Sequence, residues 1–230
     1  MKLSKSKTDV DCQMNQSLIG VLIGAPGSGK GTQGRILADS LGIPLISTGD
    51  LLRREVAGGS ALGREVRKVL EAGGLVSDEL VNNMVSSRIA DPDCERRGFI
   101  LDGYPRSVGQ AKYLDARLGY APLVIHLQVP LEELTNRLAG RRLCPVCSST
   151  FHISGVPNGK CPKDSAVLTT RRDDTQDAVK TRLTTYTKYE KALVRYYKSG
   201  NYRAIDGAGS LDTISSRMAA AVGLFCPAAA

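Results

Sequence analysis

Residues 24–33 read Gly-Ala-Pro-Gly-Ser-Gly-Lys-Gly-Thr-Gln. The stretch follows an apolar run, Leu18–Gly24, with the composition of a buried strand, and it opens a helical pattern over Lys30–Leu41. A glycine-rich turn at such a joint lets backbone N–H groups converge on an anion, and the helix N-terminus adds positive potential. Lys30 then reaches the outer phosphates of a nucleoside triphosphate, as in a P-loop. A flexible surface loop is the simpler reading. Four glycines, a proline and a lysine at this spacing, between these two elements, argue against it. One position departs from the usual pattern: Gly31 follows the lysine where most P-loops carry Ser or Thr, and Thr32 comes one later. A hydroxyl there normally helps to hold Mg²⁺. Its absence argues against an ordinary GTPase or motor ATPase and leaves the metal to be held differently, for instance through water.

Outward from this joint, strand and helix alternate, which predicts an α/β fold with a parallel sheet covered on both faces. Five strands are expected, at Leu18–Gly24, Pro44–Ser47, Gly98–Leu101, Leu123–Val129 and Tyr202–Ile205. Helical patterns fall at Lys30–Leu41, Gly49–Ala57, Ala61–Ala72, Asp78–Ala90, Ser107–Leu118, Leu131–Ala139, Thr175–Lys198 and Ser210–Ala221. Ser77-Asp78-Glu79 carries N-capping chemistry, and Pro130 suits a helix's first turn. Two stretches break the alternation. Residues 47–76 are helical with no strand between, punctuated by Gly58-Gly59 and Gly73-Gly74. Residues 140–174 have poor helical periodicity, three cysteines and Gly/Pro-rich turns.

The 230 residues suit one globular domain with inserted subdomains, and a hydrophobic content of 42% fills an ordinary core. No apolar run approaches the ~20 residues of a membrane span. Residues 1–16 are polar and lack the apolar centre of a secretory signal, so they are expected to be a flexible tail, with Met14 as an alternative start. Residues 226–230 form a second short tail. A cytoplasmic location is the default expectation, without membrane partners. The net charge of +8 raises nucleic-acid binding, but the arginines are spread through separate motifs, and 5% aromatic residues without Trp give little material for base stacking. No nucleic-acid partner is expected.

Cys144-Pro-Val-Cys147 and Cys161-Pro-Lys-Asp164 repeat one spacing, two residues between potential ligands. Paired knuckles of this kind make a tetrahedral zinc site, and the thirteen residues between the pairs leave room for a small β-hairpin. Asp164 and His152 compete for the fourth position, with Asp164 preferred. Four protein ligands close the coordination sphere, so the zinc is expected to be structural, stapling a segment without a core of its own. Cys12, Cys94 and Cys226 read as ordinary thiols.

Asp102-Gly-Tyr-Pro-Arg106 follows the strand at Gly98–Leu101. An acidic residue at a strand's C-terminal end suits Mg²⁺ or its waters. Arg106 is presented by a rigid turn to the crevice where open α/β sheets bind ligands. Arg171 and Arg182 stand eleven apart, and they face one site only if the chain bends near Asp173-Asp174. Those two aspartates suit either a salt bridge to the lid arginines or a cap for the long helix.

Taken in order, Gly24–Gln33, Ser47-Thr-Gly-Asp50, Asp102-Gly-Tyr-Pro-Arg106, Gly140-Arg-Arg142 and Arg171-Arg-Asp-Asp174 resemble adenylate kinases over about residues 18–221. The cysteine pattern resembles the zinc-bearing long-lid form of that nucleoside monophosphate kinase family. The resemblance implies a P-loop NTPase-type five-stranded core (17–46, 77–139 and 175–225), an AMP-binding insertion (47–76) and a zinc-stapled lid over ATP (140–174). By resemblance Gly27, Ser28, Gly29, Lys30, Gly31, Thr32, Arg137, Arg141, Thr150, Phe151 and Gly209 match ATP-contacting positions. Thr48, Arg53, Gly74, Leu75, Val76, Gly103, Tyr104, Pro105, Arg106 and Gln110 match AMP-contacting ones, with Arg171 and Arg182 between the nucleotides. Lys30, Asp102, Arg106, Arg141, Arg171 and Arg182 form the implied catalytic set. The implied partners are ATP, AMP and ADP, the implied cofactors Mg²⁺ with ATP and structural Zn²⁺, and the implied state a monomer. The rival readings are a UMP or CMP kinase, a zinc-ribbon nucleic-acid binder with a vestigial P-loop, and a regulator that uses ATP as a switch.

Overall fold

A computed structural model describes residues 18–223. The tails at 1–16 and 226–230, with Met14, Cys12 and Cys226, lie outside the described residues. Strand β1 (Leu18–Gly24) is buried along its whole length. It pairs in parallel with β3 (Gly98–Asp102) on one side and β4 (Leu123–Gln128) on the other. The edges are β2 (Leu45–Ser47) and β7 (Tyr202–Asp206), giving the order β2-β3-β1-β4-β7.

A strand buried on both faces needs apolar residues at both parities. Ile19, Val21 and Ile23 pack with Phe99 and Leu101 against helices α4 (Asp78–Ile89), α6 (Val108–Leu118) and α8 (Gln176–Tyr197). Leu18 and Leu22 pack with Ile100 and Ile125 against α1 (Lys30–Leu41) and α9 (Leu211–Gly223). This two-sided burial is the physical content of the apolar run before the P-loop. Gly98 starts β3 at φ 86°, where a Cβ would stand 2.0 Å from the Leu18 carbonyl oxygen, so only glycine lets the two strands meet there.

Between β2 and α4 lie α2 (Thr48–Ala57) and α3 (Ala61–Glu71), capped by Ser47 and Ser60. A short helix, α5 (Pro92–Arg97), precedes β3 and was not among the expected elements. Its Pro92 occupies the first turn behind Asp91, but six residues are too few to show a helical period. After α7 (Leu131–Ala139), which Pro130 caps rather than enters, the chain leaves the core.

There β5 (Arg141–Leu143) and β6 (Thr150–His152) form an antiparallel hairpin. The expectation put the hairpin between the two cysteine pairs. It instead wraps the first pair, with Cys144 and Cys147 in its turn. The second knuckle sits in a separate turn flanked by the Lys160–Val167 bridge. Loop length alone does not say which flanks will pair. Cys144, Val156, Cys161 and Leu168 make the small core of this segment, which supplies too little apolar surface to stand alone.

Candidate active site

The C-terminal ends of β1, β2 and β3 open into a cleft of about 720 Å³. Its floor is the P-loop. Gly27 and Gly29 adopt φ 84° and 93°, and Gly29 is the left-handed N-cap of α1 with no side-chain cap bond. A Cβ on Gly27 would meet the Leu138 side chain at 2.8 Å, so the loop also needs glycine for its fit against α7. Gly31 and Thr32, in the first helical turn, line the cleft, where unpaired first-turn N–H groups favour anions. A Cβ at Gly31 would come within 3.2 Å of Asp102 Oδ2. The missing side chain therefore leaves room beside the one carboxylate at the end of β3. Ser28 lies behind the loop rather than in the cleft, 1% exposed.

Lys30 Nζ donates to the Gly24 and Ala25 carbonyls at 2.6 and 2.8 Å and to Ser28 Oγ at 3.3 Å. Burial pulls its pKa down to about 8; Arg106, Arg182 and Arg141 push the same way, and only Asp102 opposes them. Arg171 behaves alike: burial lowers it to about 10, and Arg53 and Arg141 add repulsion. Its Nε is buried without a partner. Arg106 and Arg182 are also lowered, first by burial. Cations from several separate segments, among them Lys30, Arg53, Arg106, Arg141, Arg171 and Arg182, therefore face one cleft. Such an arrangement favours the binding of a polyanion.

The chain does bend near Asp173-Asp174: a 3-10 turn spans Arg172–Asp174, and it brings Arg171 and Arg182 to the same cleft. Asp174, with a side chain 0% exposed, accepts from Arg141 Nε at 2.7 Å, again from Arg141 Nη2, and from Arg182 Nη1 at 3.1 Å. Of the two uses open to these aspartates, the salt bridge is the one found. Thr175 caps α8 instead, accepting from the Ala178 N–H.

At one end of the cleft lie Thr150, Phe151, Arg137 and Gly209. Arg137 is tethered to Glu133, to the Gly207 carbonyl at 3.0 Å and to the Ser28 carbonyl at 3.4 Å, so its guanidinium is held beside the P-loop. At the other end are Arg53, paired with Asp50 at 2.5 Å, and Leu75, Gly103 and Pro105. A small adjoining cavity is lined by Thr48, Gly74, Val76 and Gln110. Thr48 donates to the Gly103 carbonyl at 2.9 Å, and Gln110 accepts the Arg106 N–H at 2.7 Å. Tyr104, matched by resemblance to an AMP-contacting position, turns its side chain inward. Its ring is 0% exposed in the core, its hydroxyl donates to Asn82 at 2.6 Å, and it lines neither cavity. Inside a motif, sequence does not say which side chains turn inward.

The potential metal ligands converge. One ligand atom each from Cys144, Cys147, Cys161 and Asp164 lies within 4.8 Å of every other. Cys147 and Cys161 Sγ are 3.6 Å apart, near the roughly 3.8 Å that tetrahedral Zn–S bonds impose. His152, the rival fourth ligand, is not in the cluster. It packs on Gly140 and pairs with Ser154 Oγ at 2.6 Å.

Sequence reasoning did not single out Asp50, Tyr186 or Glu190, which also line the cleft. Tyr186 and Glu190 repeat the Arg182 position at i+4 and i+8, so the helical face was there to be read. Both reach His126 of β4 at 3.2 Å, and Tyr202 of β7 completes that buried contact at 2.7 Å. This network fixes α8, and with it Arg182, against the sheet.

The parallel sheet, the P-loop and the cation-lined cleft above it define a P-loop kinase acting on small phosphorylated substrates. The chain belongs to the adenylate kinase family, whose family model matches residues 22–202. It is 44% identical over 211 residues to an adenylate kinase of Syntrophobacter fumaroxidans, covering 88% of this chain and 99% of that one. With one from Thermodesulfovibrio yellowstonii it shares 42% over 208 residues, covering 87% and 96%. With one from Clostridium kluyveri it shares 38% over 214 residues, covering 90% and 98%.

Proposed function

We propose that the protein catalyses MgATP + AMP ⇌ MgADP + ADP. The observation that carries this reading is the convergence of Lys30, Arg106, Arg171 and Arg182 on one cleft between the P-loop and the Thr48–Gln110 cavity. An anionic oxygen of the AMP phosphate attacks the γ-phosphorus of ATP. The bond from that phosphorus to the bridging oxygen breaks, and its electron pair leaves on ADP. The nucleophile is already ionised, so no general base is needed, and the protein's work is alignment and charge neutralisation.

In this reading Gly27–Thr32 cradle the ATP phosphates and Lys30 neutralises charge on the transferred group. Arg137 lies against the ATP base, with Thr150, Phe151 and Gly209 completing that end. Arg141 holds the ATP phosphates, Arg171 and Arg182 lie between the two nucleotides, and Arg53 and Arg106 hold the AMP phosphate. Thr48, Gly74–Val76 and Gln110 take the AMP base. Mg²⁺ arrives with ATP, and the space beside Asp102 at Gly31 suits its waters. Residues 47–76 and 140–174 close over AMP and ATP and exclude water, which would otherwise take the phosphoryl group. Zn²⁺ fits the Cys144–Cys147–Cys161–Asp164 donor set, where it would crosslink the two knuckles. We read the chain as a monomeric enzyme of a reducing, cytoplasmic compartment.

A coupled assay comparing AMP, CMP, UMP and GMP as acceptors tests this reading. AMP is expected to have the highest kcat/KM. Preference for CMP or UMP, or ATP hydrolysis indifferent to AMP, refutes it.

A further inference from the structure

Gln110 is 3% exposed, yet both ends of its amide are committed. Its Oε1 accepts the Arg106 backbone N–H at 2.7 Å, and its Nε2 donates to Asp78 Oδ1 at 2.8 Å. The other carboxylate oxygen of Asp78 accepts from Ser107 Oγ at 2.6 Å, and Ser107 Oγ in turn caps α6 by accepting the Gln110 N–H at 3.1 Å. An ionised carboxylate only accepts and a backbone N–H only donates. A glutamine held between the two has one possible orientation. Turned over, its oxygen would face the carboxylate and its NH₂ would face an N–H.

We infer that Asp78 is a positioning residue for acceptor selectivity: it locks the Gln110 amide in the orientation that reads a 6-amino purine and rejects a 6-oxo purine. The inference rests on the reading that Gln110 takes the AMP base. Each amide atom keeps one free position, a lone pair on Oε1 and a hydrogen on Nε2, and Gln110 lines the small cavity with Thr48, Gly74 and Val76. Adenine offers a donor at its 6-amino group and an acceptor at N1, which complements this pair. Hypoxanthine offers an acceptor at O6 and a donor at N1–H, the reverse pattern. The two bases are nearly equal in size, so the discrimination is purely one of hydrogen-bond polarity. A site built to pair with one pattern leaves buried groups unpaired against the other. With Asp78 gone, only the Arg106 N–H would oppose the turned-over amide that serves a 6-oxo purine, so the flipped orientation would become easier to reach. Asp78 therefore narrows the substrate without touching it. It is exposed, at the start of α4, and its removal leaves no hole in the core.

The test is kcat/KM for AMP and for IMP in the wild type and in Asp78→Ala, Asp78→Asn and Gln110→Leu. The AMP/IMP ratio is expected to fall about fivefold in Asp78→Ala, the scale of one hydrogen bond. It should fall less in Asp78→Asn, which can still present an oxygen, and most in Gln110→Leu. Melting temperatures report whether Asp78→Ala folds; if it does not, any fall in the Asp78→Asn ratio of twofold or more carries the inference, and none overturns it. A purely structural role would lower AMP and IMP activity together and leave the ratio unchanged. An Asp78→Ala ratio within twofold of the wild type, with Gln110→Leu reduced, overturns the inference alone. An unchanged ratio in Gln110→Leu overturns the base-reading role of Gln110 and this inference with it.

Discussion

Replacing Lys30 by methionine is expected to do two things that rarely go together: stop the chemistry and stabilise the ligand-free fold. Lys30 is held in the P-loop with its pKa near 8 instead of 10.5. Keeping it charged at neutral pH costs on the order of 3 kcal/mol. Methionine removes that cost and fills much the same space. It also deprives the Gly24 and Ala25 carbonyls of a donor, at about 1 kcal/mol each. The balance is about 1 kcal/mol in favour of the variant, or roughly 2–4 °C in melting temperature for a domain of this size. Turnover should fall at least ~100-fold, the scale of losing one donor to the transition state. Calorimetry at pH 7 and the coupled ADP assay read the two effects. A lysine with a lowered folded pKa penalises the fold fully below that pKa, and the penalty fades as pH rises towards the unfolded value. The variant's advantage should therefore shrink between pH 8 and 10.5. Near-normal turnover refutes the phosphate role of Lys30. A melting temperature several degrees lower than wild type refutes the electrostatic argument.

The same lysine predicts a pH profile: kcat/KM for ATP should decline as pH rises through about 8, while kcat at saturating ATP stays flat to higher pH because bound phosphates favour the charged amine. Cys161→Ser should lose metal and melting temperature, measured by metal analysis and calorimetry, by more than it loses turnover at 25 °C. Asp174→Ala strips the buried carboxylate from Arg141 and Arg182 and should destabilise the ligand-free protein by about 3 kcal/mol. Saturating ATP and AMP, whose phosphates replace the lost charge, should recover part of that in a thermal shift.

What the sequence made legible was local. The β1–P-loop–α1 joint was readable because a doubly buried strand and a glycine turn both leave short-range marks. The repeated Cys-x-x-Cys/Asp spacing similarly pointed to four residues that do gather. Pairings at long range left no such mark. Asp78 and Gln110 are 32 residues apart, and Arg141 and Asp174 are 33 apart. Nothing near Asp78 names Gln110 as its partner, and for Asp174 a salt bridge to the lid arginines and a helix cap were both open. The Cys144–Cys147 hairpin was misplaced for the same reason, since β5 bonds to β6 but also bridges to Thr169. Tyr104 is the opposite case: its motif is visible in the sequence, but burial of the aromatic ring decides where its side chain points.

The crowding of Lys30, Arg106, Arg141, Arg171 and Arg182 has a consequence beyond catalysis. Burial first, and the neighbouring cations second, make Lys30, Arg106, Arg171 and Arg182 hold their protons less firmly, so the cleft behaves as a compressed spring released by negative charge. Any multivalent anion that fits, including inorganic sulfate or pyrophosphate, relieves the same strain as substrate. By linkage such ions shift the balance towards the folded state in proportion to the logarithm of their concentration. The protein's resistance to heat is thus set partly by the salts around it, and a buffer chosen for stability will also compete for its catalytic cleft.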